Sequence, residues 1–449
     1  MLISFYNRVI IYSVFIFLFS FLLCLNTSFN YSSGVSVITF FSYIFIIYGS
    51  LNKDESYYSS CRLLLTVFIY TLLILCLFWT ISLMYDGDTY LFTKTDAFLY
   101  ERISMRAIQM PFLESVIYIF SKYSYDDCGA LLVMIPILKI ISNKLFLNFV
   151  YILMGVITAQ AVFNIGRRIM DNKYAYLAAL TFSTASFTIY FHGTFLKETG
   201  FIMFITLLFN SLYKYIEREN VKSLLLVVLY SVIICLFRPA VTVIIWLGII
   251  TYFFLANKGS SRLLIVISIL FVCIISFASI ITIMNRYTAN GDFSYLISSL
   301  EENERTKGIS KNFLYGLMFV ISLTGPYPKI LCTIDNYVTA CYSPGLLFKL
   351  FLTIPFYYAV WKIIKEKYIH LIPLVSFVII ECVLAAVTRK AFEVRITYPH
   401  LAMYFLISYW SFYINKDSEK EIGVISKLCK WFFPIILILC VTYVVRYDY

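Results

Sequence analysis

Two carboxylates two residues apart, Asp86 and Asp88, stand where a long apolar run ends, in the stretch Met84-Tyr85-Asp86-Gly87-Asp88-Thr89-Tyr90. Such a pair can do two kinds of chemistry. One carboxylate can act as a general base on a hydroxyl. Together they can hold a divalent cation that bridges phosphate oxygens. Asp-Gly-Asp is equally a turn sequence, because both residue types favour tight reversals. Asp96, Glu101, Arg102 and Arg106 follow with helical spacing and predict a short amphipathic helix on a membrane surface.

Three further groups carry charge beside apolar runs. Thr194-Phe195-Leu196-Lys197-Glu198-Thr199 opens one run, and Glu198 there sits well with the positive end of a helix dipole. The same Lys-Glu pair also reads as a self-neutralised helix start. Leu236-Phe237-Arg238-Pro239-Ala240 joins two runs; a guanidinium there forks onto phosphate oxygens, and the proline fixes the turn. Arg389-Lys390-Ala391-Phe392-Glu393-Val394-Arg395 leads into a fourth run, with Pro399 and His400 inside it. The candidate catalytic groups are therefore Asp86, Asp88 and Glu198. The candidate anion- and sugar-binding groups are Lys197, Arg238, Arg389, Lys390, Arg395 and His400. The only candidate metal ligands are Asp86 and Asp88, for a divalent cation, and no other cofactor is indicated.

These residues must be positioned by apolar helices, because little else is available. The chain has 449 residues, of which 61% are hydrophobic and 14% charged. A spanning helix needs about 20 mostly apolar residues. The pattern predicts an all-α polytopic membrane protein with about 14–15 transmembrane helices, forming one integral membrane domain over 1–449. The expected spans are 8–26, 35–50, 62–84, 109–122, 129–141, 145–165, 174–190, 199–215, 222–237, 240–256, 262–283, 345–363, 369–387, 396–414 and 429–447. The first has the look of a signal sequence, but it lacks a clear cleavage site and reads as a retained helix. Residues 85–109 form a first outer loop and 284–344 a second outer segment. Within the second, 312–325 is apolar but stops at Gly325-Pro326-Tyr327-Pro328, which reads as re-entrant.

The formal net charge of +11 reflects Lys and Arg at helix ends and does not point to nucleic acid. Most of the 11 cysteines sit inside apolar runs, no CxxC occurs, and the three histidines are scattered, so a zinc site is not expected. Cys332 and Cys341 are the one close pair in a segment expected outside. A disulfide between them and two free thiols are both open readings.

Basic residues in short loops set orientation. Lys53/Arg62, Arg167/Arg168/Lys173, Lys214/Arg218/Lys222, Lys258/Arg262, Lys362/Lys365/Lys367 and Lys416/Lys420/Lys427/Lys430 all fall on one expected face. That face should be cytoplasmic, with the N-terminus inside and the C-terminus outside. The candidate site residues fall on the opposite face. Cations there run against the positive-inside tendency, which suggests a polar cavity opening outward; snorkelling at the interface is the simpler reading.

Taken in order, these pieces resemble the polytopic glycosyltransferases of the GT-C type, especially bacterial O-antigen and capsule repeat-unit polymerases. In that class an acidic motif follows an early span, as Asp86 and Asp88 do here. A Gly-Arg-Arg, a span and an outer acidic residue match Gly166-Arg167-Arg168, 174–190 and Lys197-Glu198. An Arg-Pro after the next span matches Arg238-Pro239. Gly325-Pro326-Tyr327-Pro328 and the near-terminal Arg395-x-x-x-Pro399 complete the series. The resemblance covers roughly residues 60–415. It departs from the family in one place: members often carry Asp where Glu198 stands.

The resemblance implies transfer of a sugar chain from a polyprenyl-pyrophosphate carrier to an acceptor hydroxyl at the outer, periplasmic face of a bacterial inner membrane. Asp86 or Asp88 would be the base. Arg238, Arg395 and the nearby lysines would hold the pyrophosphate by electrostatic stabilisation. The implied partners are the polyprenyl-pyrophosphate-linked glycan, membrane lipid, and the chain-length regulator and flippase of the same pathway. Two other readings stay open: a single-sugar transferase that modifies lipopolysaccharide, and a flippase for the same lipid-linked glycan. The flippase should show repeats and broken helices in both halves, and the sequence alone displays neither.

Overall fold

The computed structural model describes residues 2–23, 31–89, 91, 96–122, 128–256, 337–387 and 394–418, with isolated positions within 266–274, 316–325 and 424–432. All regular structure among the described residues is helical. Helices α1 (Leu2–Leu23) and α2 (Tyr31–Gly49) precede α3 (Ser60–Asp86), α4 (Asp96–Ala107), α5 (Phe112–Lys122) and α6 (Gly129–Ile140). Then come α7 (Lys144–Gly166), α8 (Asn172–Ser183), α9 (Ser186–His192), α10 (Glu198–Arg218), α11 (Val221–Cys235) and α12 (Pro239–Ala256). The series closes with α13 (Tyr337–Phe351), α14 (Thr353–Glu366), α15 (Ile372–Val387) and α16 (Val394–Ile414).

Among the described residues five helical stretches are long and apolar enough to cross a membrane: Ser60–Tyr85, Lys144–Gly166, Glu198–Arg218, Pro239–Ala256 and Ile369–Ala386. The bent pair of α13 and α14, at 45°, makes a sixth if counted as one span. This is the architecture of a polytopic membrane protein. The helix α3 shows why. Leu63, Val67, Ile74 and Phe78 face the protein, yet Leu65, Ile69, Leu72, Leu73 and Met84 stand exposed on the other side. A helix apolar on its outward face suits lipid, not water.

The centre of the molecule is α16, which packs against α8, α10, α14 and α15 and is buried without a break from Thr397 to Phe412. Close packing between α7 and α8 relies on small residues, as is usual between membrane helices. A β-carbon on Gly166 would lie 2.8 Å from the Ala175 methyl, so α7 and α8 meet backbone to backbone.

Two expected spans are broken. The run 174–190 divides into α8 and α9 at Thr184-Ala185. At the break the Thr188 hydroxyl donates to the Phe182 carbonyl at 2.9 Å, while the Thr184 N–H keeps its bond to the Leu180 carbonyl at 2.9 Å. Such a side-chain bond offers the carbonyl an alternative to the helical ladder. The run 345–363 bends at Leu352 between α13 and α14. The helix α13 begins at Tyr337, inside the expected outer segment 284–344, and carries Cys341 buried. Cys332, like the expected spans 262–283 and 429–447 for the most part, lies outside the described residues.

Candidate functional site

The described ion pairs gather at the two ends of α10. At its C-terminal end Arg168 pairs with Glu217 of α10, and near it Lys416 pairs with Asp171 at 2.7 Å. Lys362 donates to Asn415 at 2.8 Å, and Arg62 stacks on Tyr57, whose ring meets Tyr176. Arg62, Arg168, Lys362 and Lys416, from four of the basic loops grouped by sequence, thus converge here, while Lys258 and Arg262 lie outside the described residues. At the N-terminal end stands Glu198. The helix has 21 residues, so the two groups lie about 30 Å apart, one hydrocarbon thickness.

Glu198 is fully buried. Its Oε1 accepts from Arg238 Nη2 at 3.2 Å and from Arg395 Nε at 3.0 Å. Its Oε2 has no hydrogen-bond partner among the described residues. A buried carboxylate needs such compensation, because an isolated charge away from water is very costly. Arg395 also reaches outward, donating from Nη1 to Asp96 Oδ2 at 2.6 Å. Two guanidiniums therefore bond two carboxylates, and the buried Glu381 carboxyl also lies within electrostatic reach of Arg238.

The local chain explains each placement. Arg238 is fixed by the turn into α12, which starts at Pro239. Its guanidinium lies 5.5 Å from the Phe201 ring, and Phe237 stacks on that same ring. Gly129 makes room for Phe237: a β-carbon there would fall 2.5 Å from the ring. The Arg395-x-x-x-Pro399 spacing has a direct reason. Pro399 lies inside α16 and has no N–H, so it cannot serve the carbonyl four residues back. That carbonyl belongs to Arg395, and Arg238 Nη1 donates to it at 3.1 Å. Glu198 is delivered by the buried turn between α9 and α10. Phe195 in that turn adopts φ 54°, a left-handed conformation that bulky residues rarely take. Its ring meets Tyr151, with the Lys144 ammonium 5.5 Å from its centre.

Of the residues singled out by sequence, Glu198, Arg238 and Arg395 come together. Lys197 is buried at the N-cap of α10, outside the ion pairs just described. His400 is buried one to two turns deeper in α16, with Nε2 3.7 Å from Cys382 Sγ. Arg389 and Lys390 lie outside the described residues. Asp86 ends α3, and Gly87 caps it in the left-handed conformation at φ 70°, its N–H on the Leu83 carbonyl. The Asp-Gly-Asp stretch is thus a helix stop, and the described outer carboxylate on Arg395 is Asp96. Among the described residues no group of three His, Cys, Asp or Glu side chains is placed to hold a metal ion.

Sequence reasoning used Asp96 only as a helix marker, and α4 does form, with Ala97, Tyr100, Ile103, Ser104 and Ala107 as its buried face. It passed over Glu381 and Lys349, both buried inside apolar helices. A signal existed, since an ionisable residue within a span is uncommon and points to function. The Lys349 ammonium donates to the Gly325 carbonyl and lies 4.8 Å from the Tyr404 ring centre.

The arrangement can do two things chemically. It presents paired guanidiniums, 18% and 35% exposed, to an anion. It also holds one buried carboxylate oxygen, Glu198 Oε2, without a hydrogen-bond partner among the described residues. No known protein family, curated protein or solved structure matches this chain significantly. What fold and site define is an all-helical, polytopic membrane protein with a charged cluster at one end of its central helices.

Proposed function

We propose that this chain is a glycosyltransferase that acts on a polyprenyl-pyrophosphate-linked oligosaccharide, as in polymerisation of O-antigen or another surface polysaccharide. The reaction takes place at the outer, periplasmic face of a bacterial inner membrane. The observation that carries the reading is Glu198: a fully buried carboxylate gripped by Arg238 and Arg395 at the end of a membrane-length helix. The guanidiniums take the pyrophosphate and stabilise it as it leaves. Glu198 Oε2 receives the acceptor hydroxyl. The carrier's isoprenoid tail lies along the lipid-facing helices. The opposite, basic end faces the cytoplasm.

A flippase for the same glycan is the second reading, and one observation favours it. The helices are broken in both halves of the chain, at Thr184-Ala185 and at Leu352. Such breaks accompany alternating access in transporters.

Deleting the gene and displaying the lipopolysaccharide on a gel tests the readings. Loss of a polymerase leaves a single repeat unit on the core. Loss of a single-sugar transferase keeps the ladder with altered band mobility. Loss of a flippase removes the repeat altogether. An unaltered glycan profile sinks all three.

A further inference from the structure

We infer that the outer edge of the Arg395 guanidinium, now held by Asp96, is the seat of the substrate's phosphate group, and that Asp96 is its intramolecular stand-in. The inference rests on the anion-binding reading of the site above and names the atoms that serve it.

The two carboxylates on Arg395 are not equivalent. Glu198 is wholly buried and binds the Nε edge at 3.0 Å, while its Oε1 also takes Arg238. It cannot leave without stranding two partly buried guanidiniums, 18% and 35% exposed. Asp96 is different: its side chain is 43% exposed, and one contact of 2.6 Å ties it to Nη1. An exposed pair of this kind contributes little, since water screens it. Asp96 is therefore the member that yields to a competing anion.

Asp96 can also yield without hardship. It is the first residue of α4, so its charge sits at the positive end of the helix dipole. The positive end of that dipole continues to stabilise it once Arg395 is taken. The buried face of α4, with Ala97, Tyr100 and Ile103, keeps the helix in place meanwhile. Phosphate oxygens match the guanidinium as the carboxylate does and carry more charge. Arg395 itself is held ready for them: Glu198 fixes its Nε edge and Arg238 its main-chain oxygen, at 3.1 Å.

The test is equilibrium binding to the purified full-length protein in nanodiscs. One arm uses farnesyl pyrophosphate as probe, and a second uses inorganic pyrophosphate. Asp96→Asn should tighten binding by about three- to fivefold, the scale of one exposed ion pair. Glu101→Gln removes the same charge from the same helix but pairs with Lys144, at 3.6 Å, and should leave affinity unchanged. Arg395→Ala should abolish binding. Tightening with the farnesyl probe alone assigns the seat to a lipid-linked phosphate; tightening with both assigns it to phosphate in general. Binding that needs Arg395 but is unchanged or weaker in Asp96→Asn overturns the stand-in role and leaves the anion site intact. Equal tightening in Glu101→Gln reduces the effect to the general field and also overturns it. No Arg395-dependent binding in either the wild type or Asp96→Asn overturns the anion site as well. Thermal unfolding of each variant, with Asp96→Ser as a second substitution, guards against loss of fold.

Discussion

Arg238 donates a hydrogen bond to the main-chain oxygen of Arg395 at 3.1 Å, an oxygen that Pro399 leaves without its helical partner. The two arginines are thereby tied twice, once through this carbonyl and once through Glu198 Oε1. A sequence spacing, Arg395-x-x-x-Pro399, becomes a socket for a side chain 157 residues earlier.

Pro399→Ala should separate stability from function. An N–H restored at 399 competes with Arg238 for the Arg395 carbonyl. Removing an interior proline relieves a helix penalty of about 3 kcal/mol, part of it already absorbed by the Arg238 bond. The variant should unfold no more easily than the wild type, while glycan chain length in a complemented deletion strain shortens. Full-length chains would argue that the Arg238–Arg395 tie is incidental.

Arg238→Lys should impair function nearly as much as Arg238→Ala. The guanidinium bonds two acceptors at once, the Glu198 carboxylate from Nη2 and the Arg395 carbonyl from Nη1. A lysine ammonium is a single point charge without that fork. Complementation of the deletion strain, read as a chain-length distribution, checks this. A lysine variant with normal chains would reduce Arg238 to its charge alone.

Glu198→Ala should destabilise the protein by about 3–5 kcal/mol, because it leaves two guanidiniums without their buried counter-charge. A double-mutant cycle on Arg395 and Asp96, whose side chains are 35% and 43% exposed, should give a coupling of only about 0.2–1 kcal/mol. Both are measurable by thermal or denaturant unfolding in detergent. The reverse ranking would contradict the division into a buried anchor and an exposed, exchangeable partner.

Gly129→Ala should act on the site from a distance. Its new methyl would press on the Phe237 ring, which neighbours Arg238 in the chain. Overpacking of this kind costs about 1–3 kcal/mol. The expected result is a lower unfolding temperature together with weaker anion binding. A drop in stability with unchanged binding would show that the Phe237 position does not hold Arg238.

Single cysteines placed in a background without native cysteines should report opposite sides. A cysteine at Lys416, next to Asp171, belongs to the basic end, and one at Asp96 to the other. An impermeant maleimide applied to intact spheroplasts should label the Asp96 position only. Labelling of the Lys416 position alone would invert the proposed orientation.

The class of the molecule was legible in its composition and apolar runs alone. Runs of apolar residues leave a chain no stable choice in lipid but helices, since every backbone group must be bonded within the segment. Lys and Arg in short loops marked which ends belong together, and Arg168, Lys362 and Lys416 do meet at one end. Sequence order also placed Glu198, Arg238 and Arg395 on one side. Which of those charges touch follows from packing alone. A one-dimensional pattern fixes depth along a helix, but the azimuth of each helix and the choice of neighbour come from side-chain packing around α16. That packing brought Asp96 to Arg395, put the Asp86-Gly87-Asp88 stretch at the end of α3 as a left-handed cap, and sank His400 beside Cys382. It also broke the run at 174–190, where the Thr188 hydroxyl takes the Phe182 carbonyl at the break, a detail that hydropathy does not register.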